Sequence, residues 1–293
     1  MRRHRTTARV VPALLLLWLF AGTAQARPAP DSILFPVVGA VSYVDDFGDP
    51  RGGWSHEGND ILAERGAPVV AVEAGRVEFW TASANAGCML FLYGRSGTTY
   101  LYVHLNNDVT GGNDNRGKCV AGVAFAPGLK DGQAVRAGQL IAFVGDSGDA
   151  NGVHPHLHFE MHPGDGKAVS PFRWLRGAAR LLFAAPAAEG GARPTLALYG
   201  TVLDSTPGAL TVRVARVLVS NGWRFAVIRD VTVDVRDGAV VERVEAGERV
   251  PAAVGGAAPG ERVVVWTSPV SGTLDEQLGK PRALAAARIL FRG

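Results

Sequence analysis

The run His154-Pro-His-Leu-His-Phe-Glu-Met-His162 alternates polar and apolar residues along its whole length. A β-strand sends successive side chains to opposite faces, so this pattern sets His156, His158 and Glu160 on one face and Leu157, Phe159 and Met161 on the other. Pro155 has no N–H for a strand ladder, and pairing is expected to begin after it. Four of the seven histidines fall between Asn151 and His162. A fold that accepts this segment must cover one side of a strand with apolar packing and leave the other side open.

The rest of the chain reads the same way. Short β-branched and aromatic runs are punctuated by the 37 glycines, and sustained helical periodicity is scarce. "GAPVVAVEAGRVEFW" reads as two strands joined in a hairpin at "EAG". "CMLFLYGRSGTTYLYVHL" reads as a second hairpin, and "GQLIAFVGDSG" as a strand ending in turns. "SPFRWLRGAARLLF" is the one candidate for a short helix. The expected fold class is all-β. A stretch of Ala, Gly and Pro around residues 186–194 reads as a linker. Beyond it, residues 195–293 hold about five strands, among them "DVTVDVRDG", where Val231, Val233 and Val235 share a face. Five strands in such a length suit a small β-barrel resembling an OB-fold.

The N-terminus constrains where the chain works. Arg2, Arg3, Arg5 and Arg9 precede an apolar run from Val10 to Ala21, and "TAQA" follows. That run is shorter than the roughly 20 residues a spanning helix needs, so residues 1–26 read as a cleaved secretion signal; the alternative is an uncleaved anchor. The full chain holds 30 basic and 27 acidic residues, a net charge of +3. Loss of the four signal arginines leaves 26 against 27, a net charge of −1. The basic excess therefore belongs to targeting, and a nucleic-acid partner is not expected. After signal removal no transmembrane segment remains. Export also bears on the two cysteines: Cys88 and Cys119 are expected to form a disulfide, the alternative being two buried thiols.

Two imidazoles on one strand do not complete a metal site, because a catalytic zinc takes three protein ligands and keeps one open position. Upstream, "HEGND" places His56 and Asp60 four residues apart, and "YLYVHL" ends in His104. No H-E-x-x-H occurs. The motifs "HEGND", "YVHL" and "HLHFE", in that order and with "GQLIAFVGDSG" before the last, resemble those of the lysostaphin/LytM-type zinc metallopeptidases, which cut peptide cross-links of peptidoglycan. The resemblance covers about Phe35 to Met161.

It implies an antiparallel β-sheet peptidase domain over residues 27–185, with an active-site groove. It also implies one Zn2+ per chain held by His56, Asp60 and His158, with His104 and His156 as the catalytic pair. The implied protein is a secreted, cell-wall-associated zinc endopeptidase acting on peptidoglycan peptides. The competing reading is a non-catalytic wall-binding or amidase-activating module of the same fold, although such relatives lose metal ligands that this chain keeps. Other residues carry weaker expectations. Tyr102 shares the strand parity of His104 and could reach the groove. Glu160 either orients a neighbouring imidazole or is exposed. His154 lines the groove or sits in a turn, and His162 is expected past the strand end, in solvent. The loop from Asn106 to Gly132 is expected to form a groove wall.

Overall fold

The structure is a computed structural model, and it describes residues 29–184, 194–220, 224–270 and 284–293. The expected signal and residues 186–193 of the expected linker lie outside this set. The first domain contains β1 (Val41–Ser42), β2 (Pro50–Arg51), β3 (Trp54–Ser55), β4 (Asn59–Ala63), β5 (Pro68–Val70) and β6 (Gly75–Ser83). It continues with β7 (Gly87–Gly94), β8 (Thr98–Leu105), β9 (Ala134–Val135), β10 (Leu140–Phe143), β11 (His156–Pro163) and the short helix α1 (Phe172–Gly177).

Seven of these strands form one antiparallel sheet in the order β1-β4-β11-β8-β7-β6-β9. The β7–β8 hairpin forms where the sequence suggests it. The "EAG" hairpin does not. β5 leaves β6 and pairs with β10 in a separate two-stranded sheet, while β6 pairs with β7 and β9. The reason is burial: Pro68, Val69 and Val70 are all buried, as is every residue of β10. β5 therefore finds a partner apolar on both faces, whereas β6 carries Glu78 and Trp80 on an outward face. Between the sheets lies a core that includes Val69, Leu90, Tyr100, Tyr102, Ile141 and Phe159, each fully buried.

The second domain is also β: β12 (Leu196–Thr206), β13 (Ala209–Val219), β14 (Arg224–Glu245), β15 (Glu248–Pro251), β16 (Arg262–Thr267) and β17 (Leu284–Arg292). Neighbours run β13-β12-β16-β17-β14, and β14 pairs again with β13, closing a five-stranded ring. The β14–β17 pair is parallel and the other pairs are antiparallel. Closure removes free edges from the ring. β14 is long because it serves two partners. Ala209 to Leu218 of β13 lie along its first half, while β17 and β15 lie along its second, with a register break between Val235 and Val240. β15 is a strand that the sequence reading did not anticipate.

The two cores meet. Leu34, Val38, Val70, Leu181, Leu182 and Phe183 of the first domain pack into the cluster built by Leu198, Val212, Val265 and Phe291 of the barrel. The Ala40 N–H donates to the Ala226 carbonyl across the same seam, at 2.7 Å. Each such side chain contributes about 1.5–3 kcal/mol when fully buried. A chain cut after Ala184 should consequently melt well below the full chain and self-associate in light scattering. Coincident melting curves for the two would show that the barrel lends the first domain no stability.

Candidate metal centre and cleft

β11 lies between β4 and β8, and its register places His158 directly opposite Asp60 on one side and Val103 on the other. His56 arrives from the turn ahead of β4. His56 Nε2 lies 2.8 Å from His158 Nδ1 and 3.1 Å from Asp60 Oδ1, and His158 Nδ1 lies 3.0 Å from the same oxygen. Three donor atoms thus converge into one triangle, and this group could hold a metal ion. Donors about 2.0–2.2 Å from a common tetrahedral zinc lie roughly 3.3 Å apart, so the triangle is close to the required size.

The surroundings fix which nitrogen each imidazole offers. His56 Nδ1 donates to the Asp46 carbonyl at 2.8 Å, so Nε2 is left to face the triangle. His158 Nε2 donates to Glu160 at 2.8 Å, which leaves Nδ1 inward. Outer partners of this kind set the tautomer and aim the ligand. Asp60 Oδ2 accepts from Arg51 at 2.8 Å. Gly58 in "HEGND" also has a steric reason, since a Cβ there would come within 2.6 Å of the Phe159 carbonyl and 2.8 Å of His158 Nε2. Only glycine lets the turn lie against that ring.

The charges agree. Burial opposes ionisation of Asp60, but hydrogen bonds from His158 and His56 outweigh it and hold the carboxyl far below the usual range. Burial likewise opposes a charged His158, yet Asp60 and Glu160 raise its pKa to about 9. For Glu160, burial raises and the His158 and His162 contacts lower, leaving it at about 2.

His104 and His156 stand beside this group, their rings 5.1 Å apart, with His104 6.0 Å from the His158 ring. The His104 Nδ1 donates to the Ser147 carbonyl at 2.9 Å, and the His156 Nδ1 donates to the His154 carbonyl at 3.0 Å. Carbonyls only accept, so in the neutral imidazoles both Nε2 atoms keep a free lone pair. Burial, reinforced by the nearby His156, lowers the His104 pKa to about 4 and keeps it neutral.

Strand parity alone would aim His104 into the core. Tyr102 and Leu105 are both fully buried although three residues apart, and the β7 partners shift from Leu90↔Tyr102 to Cys88↔Leu105. The extra residue is a bulge, and His104 sits in it with φ +59°, in the left-handed region. The kink turns the imidazole outward. Tyr102 therefore does not reach the cleft; its hydroxyl accepts from the Val72 N–H inside the core. The bulge is braced from below by Ser147, whose hydroxyl donates to the Leu105 carbonyl and accepts from the Cys88 N–H. The Cys88–Cys119 disulfide is formed at the same place.

These groups open into a cleft of about 690 Å³. Arg51 and Trp54 line it on the hairpin β2–β3, and Asn85, Ala86, Asp149, Ala150 and Val153 also line it. The Asn106–Gly132 loop is not among these lining residues, contrary to the sequence expectation. It supports one of the segments that are, through Asn113 and Asn115, which donate to Asn151. His154 stays outside the cleft lining. His162 lies within β11, not beyond it, and pairs with Glu160 at 2.7 Å. The strand runs past the expected end because pairing with β8 continues through His162↔Thr99 and Pro163↔Thr98.

Residues 54–171 match the family described as Peptidase family M23. The chain carries an M23 peptidase domain. Among curated relatives, the L-Ala–D-Glu endopeptidase of Bacillus subtilis (strain 168) is 32% identical over 152 residues, which is 48% of this chain and 41% of that protein. The DD-carboxypeptidase/endopeptidase Mpg of Neisseria meningitidis serogroup B is 30% identical over 116 residues, 40% of this chain and 22% of that one. The match thus spans less than half the length of either relative. Similar solved structures include the catalytic domain of lysostaphin from Staphylococcus simulans, at 24% identity over 46% of this chain and 92% of that one, with a TM-score of 0.37. A zinc-containing peptidase from Vibrio cholerae is 25% identical over 47% of this chain and 38% of that one, with a TM-score of 0.34. Scores this low add nothing to the family match.

In the M23 domain the raised pKa of His158 has a consequence for metal uptake. A cation that binds at Nδ1 must displace the proton held there without it. Below the pKa of about 9 the proton competes, and above it competition ends. Apparent metal affinity should therefore rise about tenfold per pH unit between about pH 7 and pH 9, then level off. Competition against a chromogenic chelator across that range measures the slope, and a flat profile would rule out proton displacement at this site.

Proposed function

We propose that the chain is a secreted zinc endopeptidase that hydrolyses peptide cross-links of peptidoglycan. The observation that carries the reading is the pairing of a three-donor triangle with two cleft-facing imidazole Nε2 atoms, of His104 and His156, each 3.8 Å from a carboxylate oxygen, of Asp149 and Asp60 respectively. His56, Asp60 and His158 hold one Zn2+, and the tautomers fixed by Asp46 and Glu160 fit them for it. Zinc there supplies Lewis acidity, which polarises a scissile carbonyl and acidifies water at neutral pH.

His104 and His156 do the proton chemistry. A neutral imidazole whose Nδ1–H is tied to a backbone carbonyl accepts at Nε2 the proton that the attacking water gives up, becomes a donor there, and passes that proton to the leaving amine. Burial of His104 keeps its Nε2 unprotonated before the reaction. Once charged, the same atom stabilises negative charge developing on the carbonyl oxygen. The M23 match and the relatives' names, an L-Ala–D-Glu endopeptidase and a DD-carboxypeptidase/endopeptidase, support the substrate class. The apolar run after the N-terminal arginines supports export of residues 27–185 as the peptidase domain and 195–293 as the accessory barrel. Among the described residues, no helix is long and apolar enough to cross a membrane.

The two roles separate by mutation. His158→Ala should abolish stoichiometric zinc and hydrolysis of purified cell wall together. His104→Ala and His156→Ala should each keep zinc while turnover falls by about 10²–10⁴-fold. Zinc retained by the His158 variant, or lost equally by all three, would refute the division. A metal-loaded wild-type protein that releases no new amino termini from cell wall would instead favour a binding module.

The disulfide gives a further outcome. The cysteines are 31 residues apart in sequence, and Cys88 pairs with Leu105 beside the His104 bulge. A link over such a loop contributes roughly 3–4 kcal/mol in chain-entropy terms. Reduction should lower the melting temperature and weaken hydrolysis while zinc stays bound. Two alkylatable thiols in the non-reduced secreted protein would show that the link is not made.

A further inference from the structure

The open face of the seven-stranded sheet does not stop at the cleft. Cross-strand registers run from Asp60 to His158 to Val103, and Met89, which lines the cleft, pairs with Trp80 on β6. A parallel row runs from Glu160 through Leu101 and Phe91 to Glu78. Beyond the cleft this face carries three aromatic rings. Trp80 is 44% exposed and Tyr93 40% exposed, with Phe91 half-buried between them.

The rings are ordered against one another. Phe91 and Tyr93 are parallel within 7° at a centroid separation of 6.2 Å, and Trp80 stands edge-on to Phe91 at the same separation. The Tyr93 hydroxyl donates to Glu78 at 2.9 Å, which locks its ring. Glu78 has a further carboxylate oxygen, and Arg76, whose guanidinium donates through one nitrogen to the Gly132 carbonyl and keeps further N–H groups, sits across from Tyr93. Apolar ring faces bordered by a carboxylate and a guanidinium match a pyranose ring. Its axial C–H face packs on aromatic surface while its equatorial hydroxyls and amide groups find acceptors and donors at the edge.

Self-association fits less well. Trp80 and Tyr93 expose about 130–210 Å² between them at these fractions of a 150–250 Å² aromatic side chain. A stable protein interface needs about 800 Å² per partner.

We propose that Trp80, Phe91 and Tyr93 form a sugar-binding platform that seats a hexosamine ring of the glycan while its attached peptide lies across the cleft. The origin of the sugar rests on the hydrolase reading; its binding can be measured without it. Three inter-strand steps of about 4.8 Å put Trp80 roughly 14 Å from His158, a span that about four extended residues cover.

The test uses the full chain and a β-1,4-linked tetramer of N-acetylglucosamine, followed by calorimetry with the metal chelated. Wild type should bind it, Trp80→Ala should bind at least about tenfold more weakly, and Trp80→Phe should recover part of the loss. No binding by wild type, or equal binding by Trp80→Ala and Tyr93→Ala, overturns the platform. In a second arm, metal-loaded protein is given one stem peptide with and without its sugar. Trp80→Ala should lower kcat/KM only for the sugar-bearing form, and an equal loss on both forms would overturn the proposal. If wild type cuts neither substrate, the hydrolase reading fails, and the calorimetry still decides the platform.

Discussion

The site depends on one strand being held at one register. β11 pairs with β4 and β8 at once, and that double pairing is why His158 faces Asp60 across a single inter-strand step. A slip of one residue would turn Leu157 and Phe159 outward and bury the imidazoles. Nothing allows the slip, because Leu157, Phe159 and Met161 are fully buried and Phe159 packs on both Tyr100 and Tyr102. The apolar side of β11 thus specifies the chemistry of its polar side.

The outer partners extend that specification by one layer. Asp46 holds His56, Glu160 holds His158, and Arg51 holds the second oxygen of Asp60, so each donor meets the triangle with one atom. Arg65 ties Asp108 and Asp146 together, joining the loop after β8 to the turn that carries Ser147. The ring positions in the cleft therefore rest on contacts from loops distant in sequence.

Period-two reading recovered β11, the β7–β8 hairpin and the barrel strands, because in each the pattern is long and one-sided. The five residues His56, Asp60, His104, His156 and His158 were grouped by the family resemblance of their motifs and not by spacing alone. Period-two reading failed where partners are chosen by non-local burial. β5 and β6 look like a hairpin within fifteen residues, but the choice between them is made by β10, some seventy residues on from β5. It failed again at β8, where counting by twos from Tyr102 groups it with His104. A left-handed residue breaks the count, and histidine carries no sequence mark of that conformation. Glu160 and His162 were ambiguous for another reason: a carboxylate between two imidazoles looks the same in sequence whether it is solvated or shared.

The bulge at His104 has a cost that falls on the whole molecule. A side chain with a Cβ held near φ +59° carries on the order of 1 kcal/mol or more of local strain, which glycine avoids and asparagine tolerates. Neither could move a proton as imidazole does. With the proton-transfer role proposed for His104, folding stability and chemistry want different residues at this one dihedral. Selection for heat resistance alone would tend to erase the histidine, and a hardier chain lacking the proposed proton carrier is a short mutational step away.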